Sequence, residues 1–350
     1  MKKVIFLAIA AAAALTACSK SEVIDSKYGN DMIGFETYLG RDAQTKGAVA
    51  DVATVQENAF GVFGFYTGTQ PYAPATPANL MNDTEVSYTT EKGWEYSPVK
   101  YWTNATDKYT FLAYSPYSLT ASQAEGAAPT FTYTVPATLA DQIDVLYSND
   151  NKDVVKTDVV NFTFKHALSR ITVKANAEMY DKEGAIVTEA PADGYDNTFT
   201  ITSLVLDGPF NTTGVFDLNA GTWNLTAGTA SYSFFTGSQA LTGELHDFAG
   251  SDNYLMALPT DFSVKTGEGE GEEAAFAKTA TLTVNYTVTY AGSTSAENTA
   301  TVAINTNFEQ GKAYSINIKL MRDPDNAITF DVVAVDTWGE ENVVNNNVEA

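Results

Sequence analysis

The single cysteine of the chain, Cys18, closes the stretch Leu15-Thr16-Ala17-Cys18, behind Met1-Lys2-Lys3 and an apolar run from Val4 to Leu15. Small residues before a cysteine at this place resemble a bacterial lipobox. In that motif the thiol is diacylglycerated, the chain is cut before the cysteine, and the new amino group is acylated by a fatty acid such as palmitate. The apolar run is too short for the roughly 20 residues that span a bilayer, so residues 1–17 read as a lipoprotein signal peptide. Each buried methylene contributes about 0.8 kcal/mol, so two or three chains make a lasting anchor, with residues 18–31 as its tether. A lone cysteine forms no intrachain disulfide and no thiolate metal cage.

Little else in the chain is arranged for chemistry. A Ser-His-Asp site would need His166 or His246, the only two histidines. His166 lies among apolar residues in FKHALSR and reads as structural; His246 neighbours Asp247 in GELHDF but has no G-x-S-x-G context. No phosphate-binding or dinucleotide-binding glycine loop is present. The stretch Thr266 to Glu273 (TGEGEGEE) carries hard oxygen ligands but not the order of an EF-hand loop, and reads as a solvated acidic loop. The expectation is a protein with no catalytic residues, no metal and no cofactor. With 20 basic against 43 acidic residues the net charge is −23, and loss of Lys2 and Lys3 makes it more negative still. Such a surface repels phosphate backbones, which excludes nucleic acid as a partner. Only Arg41, Arg170 and Arg322 are arginines.

The elements that would position any site are strands. From Met32 onward apolar residues alternate with polar ones or cluster in short runs between Gly, Pro, Asn and Asp. Ile33, Phe35 and Leu39 fall on one face of a strand, with Glu36 and Tyr38 on the other. Ala59–Thr67 (AFGVFGFYT), Tyr109–Pro116 and Phe131–Val135 are aromatic-rich strands, the first with glycines that imply bends or close packing. Phe199–Leu206, Thr279–Tyr290, Ala300–Asn305, Ala313–Leu320 and Ile328–Val335 follow. No long helical period is evident. The fold class is all-β, two β-sandwiches in tandem rather than one barrel. A polar stretch at 148–158, and a break at His166-Ala167 in the run Val159–Ala175, place the boundary near residue 165. The domains expected are 32–165 and 166–350.

Several of these pieces, taken in order, resemble the fimbrillin family of Bacteroidetes, the FimA/Mfa-like lipoprotein subunits of type V pili. They are LTAC, IGFETYL followed by RDAQTKGA, FGVFGFYT, YTFLAYSPY, DVLYS, FKHALSRI, GKAYSINIKL and ITFDVVAVDTW. The resemblance implies two transthyretin-like β-sandwich domains and export as an outer-membrane lipoprotein on the cell surface. It also implies head-to-tail polymerisation with other pilus subunits by strand exchange, after a trypsin-like protease removes the N-terminal strand. Arg41 and Lys46 are the two candidate cleavage sites. The departing strand would carry Ile33, Phe35 and Leu39. The donor strand would be Ile328, Phe330, Val332, Ala334 and Trp338 at period-2 positions, or else the tail Glu341–Ala350. Stalk, anchor and tip roles stay open, as does a host or glycan ligand. The alternative is a surface glycan-binding lipoprotein that stacks sugars on Trp94, Trp102 and Trp223.

Overall fold

A computed structural model of the chain describes residues 31–39, 52–189, 194–250, 253–266, 275–290, 292–321 and 328–335, the last as backbone. In chain order the first half carries β1 (Phe35–Leu39), α1 (Val52–Asn58), β2 (Phe60–Gly68), β3 (Met81–Thr89) and β4 (Gly93–Glu95). β5 (Lys108–Ser115), β6 (Ala121–Gln123), β7 (Pro129–Thr134), β8 (Leu146–Val154) and β9 (Val160–His166) complete it. The second half begins with β10 (Ser169–Ala177), β11 (Met179–Tyr180), β12 (Ile186–Val187), β13 (Asn197–Gly208), β14 (Asn211–Asp217) and β15 (Thr222–Ala227). β16 (Ala230–Ala240), β17 (His246–Asp247), β18 (Leu255–Ala257), β19 (Thr260–Asp261), β20 (Ala280–Tyr290) and β21 (Ser293–Thr294) follow. β22 (Asn298–Ile304), β23 (Asn307–Phe308), β24 (Ala313–Leu320) and β25 (Ile328–Val335) close it. The protein is all-β. The seven-residue α1 is the one α-helix among the described residues, and it has no signature in the hydrophobic pattern.

A seven-stranded sheet, ordered β1-β9-β8-β5-β2-β3-β4, organises the first half. Its central strands are buried on both faces. In β2, Phe60 and Val62 face one core while Phe63 and Phe65 face another; in β5, Tyr109 and Phe111 oppose Leu112 and Tyr114 in the same way. This explains why AFGVFGFYT reads as a continuous apolar run rather than an alternating one. The glycines in it make room: a Cβ at Gly61 would collide with the Tyr114 ring, and one at Gly64 would press on Met81 at 3.1 Å.

The two cores differ in what builds them. The first holds Ile33, Phe35, Phe60, Trp102, Phe111 and Phe162, and among the described residues its members run no further than Phe164. The second joins Phe63, Tyr114 and Phe131 to Ile171, Phe216 and Ile316, from both halves of the chain. The run Val159–Ala175 splits into β9 and β10 around Ala167-Leu168, beside the boundary expected near residue 165. A four-stranded sheet, ordered β15-β14-β7-β6, crosses that position by pairing β7 with β14. Trp223 ties the two sides further, its indole N–H donating to the Ala167 carbonyl at 2.6 Å. The polar stretch at 148–158 is mostly strand, since β8 runs to Val154.

Two five-stranded sheets and two two-stranded ones, β11-β12 and β19-β23, belong to the second half. Of the five-stranded pair, one is ordered β17-β10-β24-β25; in the other, β13 lies between β16 and β20, and β20 also pairs with β22. In β20 the alternation holds through Tyr286, with Leu282, Val284 and Tyr286 buried and Thr283 and Asn285 between them partly exposed, while Tyr290 at its end is exposed. β10 and β24 run parallel, and β25 pairs antiparallel with β24 at the sheet edge, from Ala313↔Val335 to Leu320↔Ile328.

Candidate strand-exchange site

The segment 31–39 is threaded between two partners. Its first three residues lie against the stretch Lys100-Tyr101-Trp102. The Ile33 N–H donates to the Lys100 carbonyl at 3.0 Å, and the Trp102 N–H donates to the Asp31 carbonyl at 2.8 Å. Met32 and Tyr101 form an antiparallel bridge between these bonds. From Gly34 onward the segment changes partner: the Val160 N–H donates to the Gly34 carbonyl at 2.9 Å. β1 then pairs parallel with β9 from Phe35↔Val160 to Leu39↔Phe164. Among the described residues β1 is the edge strand of its sheet, with β9 as its one strand neighbour.

Alternation along the segment decides what is buried. Ile33, Phe35 and Leu39 point into the first core, at 0%, 1% and 6% exposure, while Tyr38 on the opposite face is 49% exposed. The Phe35 ring sits in an aromatic box. It stacks on Phe162 at 5.4 Å and meets Tyr96, Phe111 and Phe60 at 5.3, 5.7 and 6.4 Å. Tyr96 also has a polar duty, because its hydroxyl donates to the Ile33 carbonyl at 2.7 Å. The Lys100 N–H donates back to the Tyr96 oxygen at 3.2 Å, which holds the phenol in place. An exposed ion pair, Lys156 to Asp31 at 2.6 Å, closes the start of the segment and is worth at most about 1 kcal/mol.

One atom in this arrangement is poorly served. Thr37 shares the inward face with Phe35 and Leu39 and lies opposite Phe162 in β9. Its Oγ1 is buried with no hydrogen-bond partner among the described residues. A buried hydroxyl without a partner costs about 1–3 kcal/mol.

The sequence-predicted residues therefore separate into three sets. Ile33, Phe35 and Leu39 come together on the core face of one edge strand. Ile328, Phe330, Val332 and Ala334 lie on β25, whose backbone is paired with β24. Cys18, Arg41, Lys46, Trp338 and the tail Glu341–Ala350 lie outside the described residues, as does most of the acidic stretch Thr266–Glu273. Tyr96, Thr37 and the Lys100–Trp102 backbone escaped the sequence reading. The aromatic density of Trp94-Glu95-Tyr96-Ser97-Pro98 was the available signal, and it pointed toward sugar stacking instead.

That reading of the indoles meets a packing obstacle. Trp94 and Trp102 are buried in the first core, at 3% and 5% exposure. Trp94 packs edge-on to Phe60 and Trp102 edge-on to Tyr109. Trp223 is half-buried against Phe131 and Phe216. Trp94 and Trp102 therefore offer no open face on which a sugar could stack. His166 is largely buried, with Nδ1 2.9 Å from an Asp144 carboxylate oxygen. His246 is exposed and lies edge-on to Phe248. Among the described residues no group of three or more His, Cys, Asp or Glu is placed to hold a metal ion.

Comparison with known proteins agrees with this architecture. The sequence profile of the fimbrillin-like family matches residues 48–338. A fimbrium subunit, Fim1C, of Phocaeicola vulgatus is 26% identical over 257 residues, which are 65% of this chain. The match spans 63% of that relative's length. The crystal structure of a fimbrial protein from Bacteroides vulgatus superposes with a TM-score of 0.61 at 20% identity, over 88% of this chain and all of that one. That likeness establishes the shared fold. The profile match runs from before α1 to just past β25, and on it the chain belongs to the fimbrillin-like family.

Proposed function

We propose that this protein is a structural or adhesive subunit of a cell-surface type V pilus, exported as an outer-membrane lipoprotein through Cys18. Its polymerisation proceeds by strand exchange after proteolytic removal of β1. The protein is not an enzyme; its work is to be cut, to open and to be filled. The observation that carries this reading is the placement of β1 at a sheet edge, with its inward side chains completing a core that the rest of the domain leaves open on that side.

The physical sequence of events follows from that placement. Hydrolysis after Arg41 or Lys46 severs the link between β1 and α1. The segment is then held by one parallel ladder, the contacts with Lys100–Trp102, and burial of three apolar side chains. Those side chains contribute about 1.5–3 kcal/mol each, roughly 5–9 kcal/mol gross, so the segment leaves slowly unless another strand takes its place. Its departure exposes the aromatic box and the unpaired edge of β9. A strand from a second subunit satisfies both by β-augmentation. Because donor and acceptor are different surfaces, the contact is head-to-tail and grows a filament rather than a closed dimer.

Incubation of the folded lipoprotein with an Arg/Lys-specific protease should trim it once near residues 41–46 and yield oligomers visible by size-exclusion chromatography and electron microscopy. A trimmed protein that stays monomeric at high concentration would sink the strand-exchange reading.

A further inference from the structure

Three exposed apolar side chains gather where the chain enters the fold. Val99, Tyr101 and Val155 are 37%, 59% and 49% exposed. The two loops that carry them, 97–103 and 155–159, are both fastened to the start of the segment 31–39. Tyr101 forms the bridge with Met32, and Lys100 and Trp102 on either side of it bond to the backbone of Ile33 and Asp31. Lys156, next to Val155, reaches the Asp31 carboxylate at 2.6 Å. Alternation in the extended stretch turns Val99 and Tyr101 to the same side. Charge is sparse here for a chain of net charge −23. The stretch 97–103 holds one charge, that of Lys100; Asp31 is paired with Lys156, and Asp158 is the remaining acid of the two loops.

What precedes Asp31 says what this end faces. Thirteen residues separate Asp31 from Cys18, and even fully extended they span no more than about 45 Å. Resting on the lipid-anchor part of the reading above, we propose that this end of the subunit docks on the bilayer that holds Cys18, before the protease acts. Tyr101 sits at the level of the headgroups, ring toward the acyl boundary and hydroxyl in water, the place that phenols favour. Val99 and Val155 add apolar contact, and Lys100 lays its stem along them while its ammonium group reaches lipid phosphate.

Three side chains bury little area, so the contact is weak alone. The tether makes it count, because an anchored body meets the surface at a high effective concentration. The acidic remainder of the chain is repelled by an anionic surface, so docking at this end also fixes the orientation. A second copy is the competing occupant. Lipid is favoured because every anchored chain has bilayer within reach, whether or not another copy is near. From Asp31 the segment runs extended for eight residues to Leu39, which leaves the end of β1 up to about 25 Å from the bilayer. The candidate cleavage sites Arg41 and Lys46 follow Leu39 in sequence, so docking turns them toward the protease rather than the lipid.

The test places an environment-sensitive fluorophore on single cysteines introduced as Tyr101→Cys, Val155→Cys or Leu245→Cys in the acylated chain, whose Cys18 is blocked by its lipid. Leu245, exposed in the second half, is the control. The protein is reconstituted in vesicles of phosphatidylethanolamine and phosphatidylglycerol, with and without brominated acyl chains. Labels at 101 and 155 should shift to shorter wavelength and be quenched by the brominated lipid; the label at 245 should do neither. Tyr101→Glu alters an exposed side chain, so it should leave urea unfolding unchanged and lower the quenching at position 155 several-fold. Water-like emission at all three positions from protein that floats with the vesicles overturns the docking while the anchor stands. A shift at 101 and 155 that ignores bromine and grows with protein density gives this end to a second copy, and overturns the docking too. A chain that carries no lipid by mass spectrometry and does not float overturns the lipoprotein reading itself, and the docking with it.

Discussion

The two cores on either side of the seven-stranded sheet are built by different rules. The first is local to the N-terminal half, and one of its walls is an edge strand held by a single neighbour. The second is common property, with β7 from the first half paired to β14 from the second, and Trp223 bonded to the backbone of the β9–β10 turn. Among the described residues none before Phe63 belongs to the second core. Loss of β1 would therefore open the first core and leave the second covered. The proposed strand exchange needs this asymmetry: a removable wall on one side and a shared, continuous core on the other.

The largest effect that would sharpen the contrast is alkaline. Burial pushes the Tyr133 and Tyr232 hydroxyls, both in the second core, up to about 12, against an ordinary value near 10. A raised phenol stabilises the fold fully below pH 10, and that contribution is lost as pH climbs from 10 to 12. Each contributes at most about 2–3 kcal/mol, since one unit is 1.36 kcal/mol. Urea titrations should show flat stability between pH 7 and 9 and a fall of several kcal/mol by pH 12. The fall should be the same size in intact and trimmed protein. A smaller fall after trimming would mean that β1 supports the second core as well.

Next comes Phe35→Ala, which empties the aromatic box and should cost the intact chain about 3 kcal/mol in urea unfolding. The same substitution should leave the trimmed, refilled subunit unchanged, since Phe35 has left with its segment. Persistence of the penalty after trimming would show that the segment stays bound. Smallest is Trp223→Phe, which removes the indole N–H bond to Ala167 and keeps most of the packing. It should cost about 1–2 kcal/mol and leave oligomer formation by the trimmed protein untouched. A change in oligomer formation would reveal coupling between the cores.

Legibility followed the range of the contacts. Period-2 patterns revealed most long strands, because alternation is a local consequence of one face being wet. β2 hid its two-sided burial, since a run apolar at every position fits a bend, a buried strand or close packing alike. The strands rich in Thr, Ser and Asn, such as β3 and β15, escaped notice because their burial is slight and their pairing rather than their pattern makes them strands. Tyr96 was invisible as a groove residue: its partner Ile33 lies 63 positions away, and no local pattern records a bond of that kind.

The sequence by itself determined the all-β class and the core-facing set Ile33, Phe35 and Leu39, both of which rest on composition and near-neighbour spacing. It also brought the chain to its family through an ordered series of short motifs. The tertiary structure decided that β1 is an edge strand and that it runs parallel to β9. It decided as well that four aromatic side chains from distant parts of the chain enclose Phe35, that Thr37 buries a hydroxyl with no partner among the described residues, and that the two halves share a core across residue 165. Those facts depend on which distant segments meet, and a chain meets itself only after it has folded.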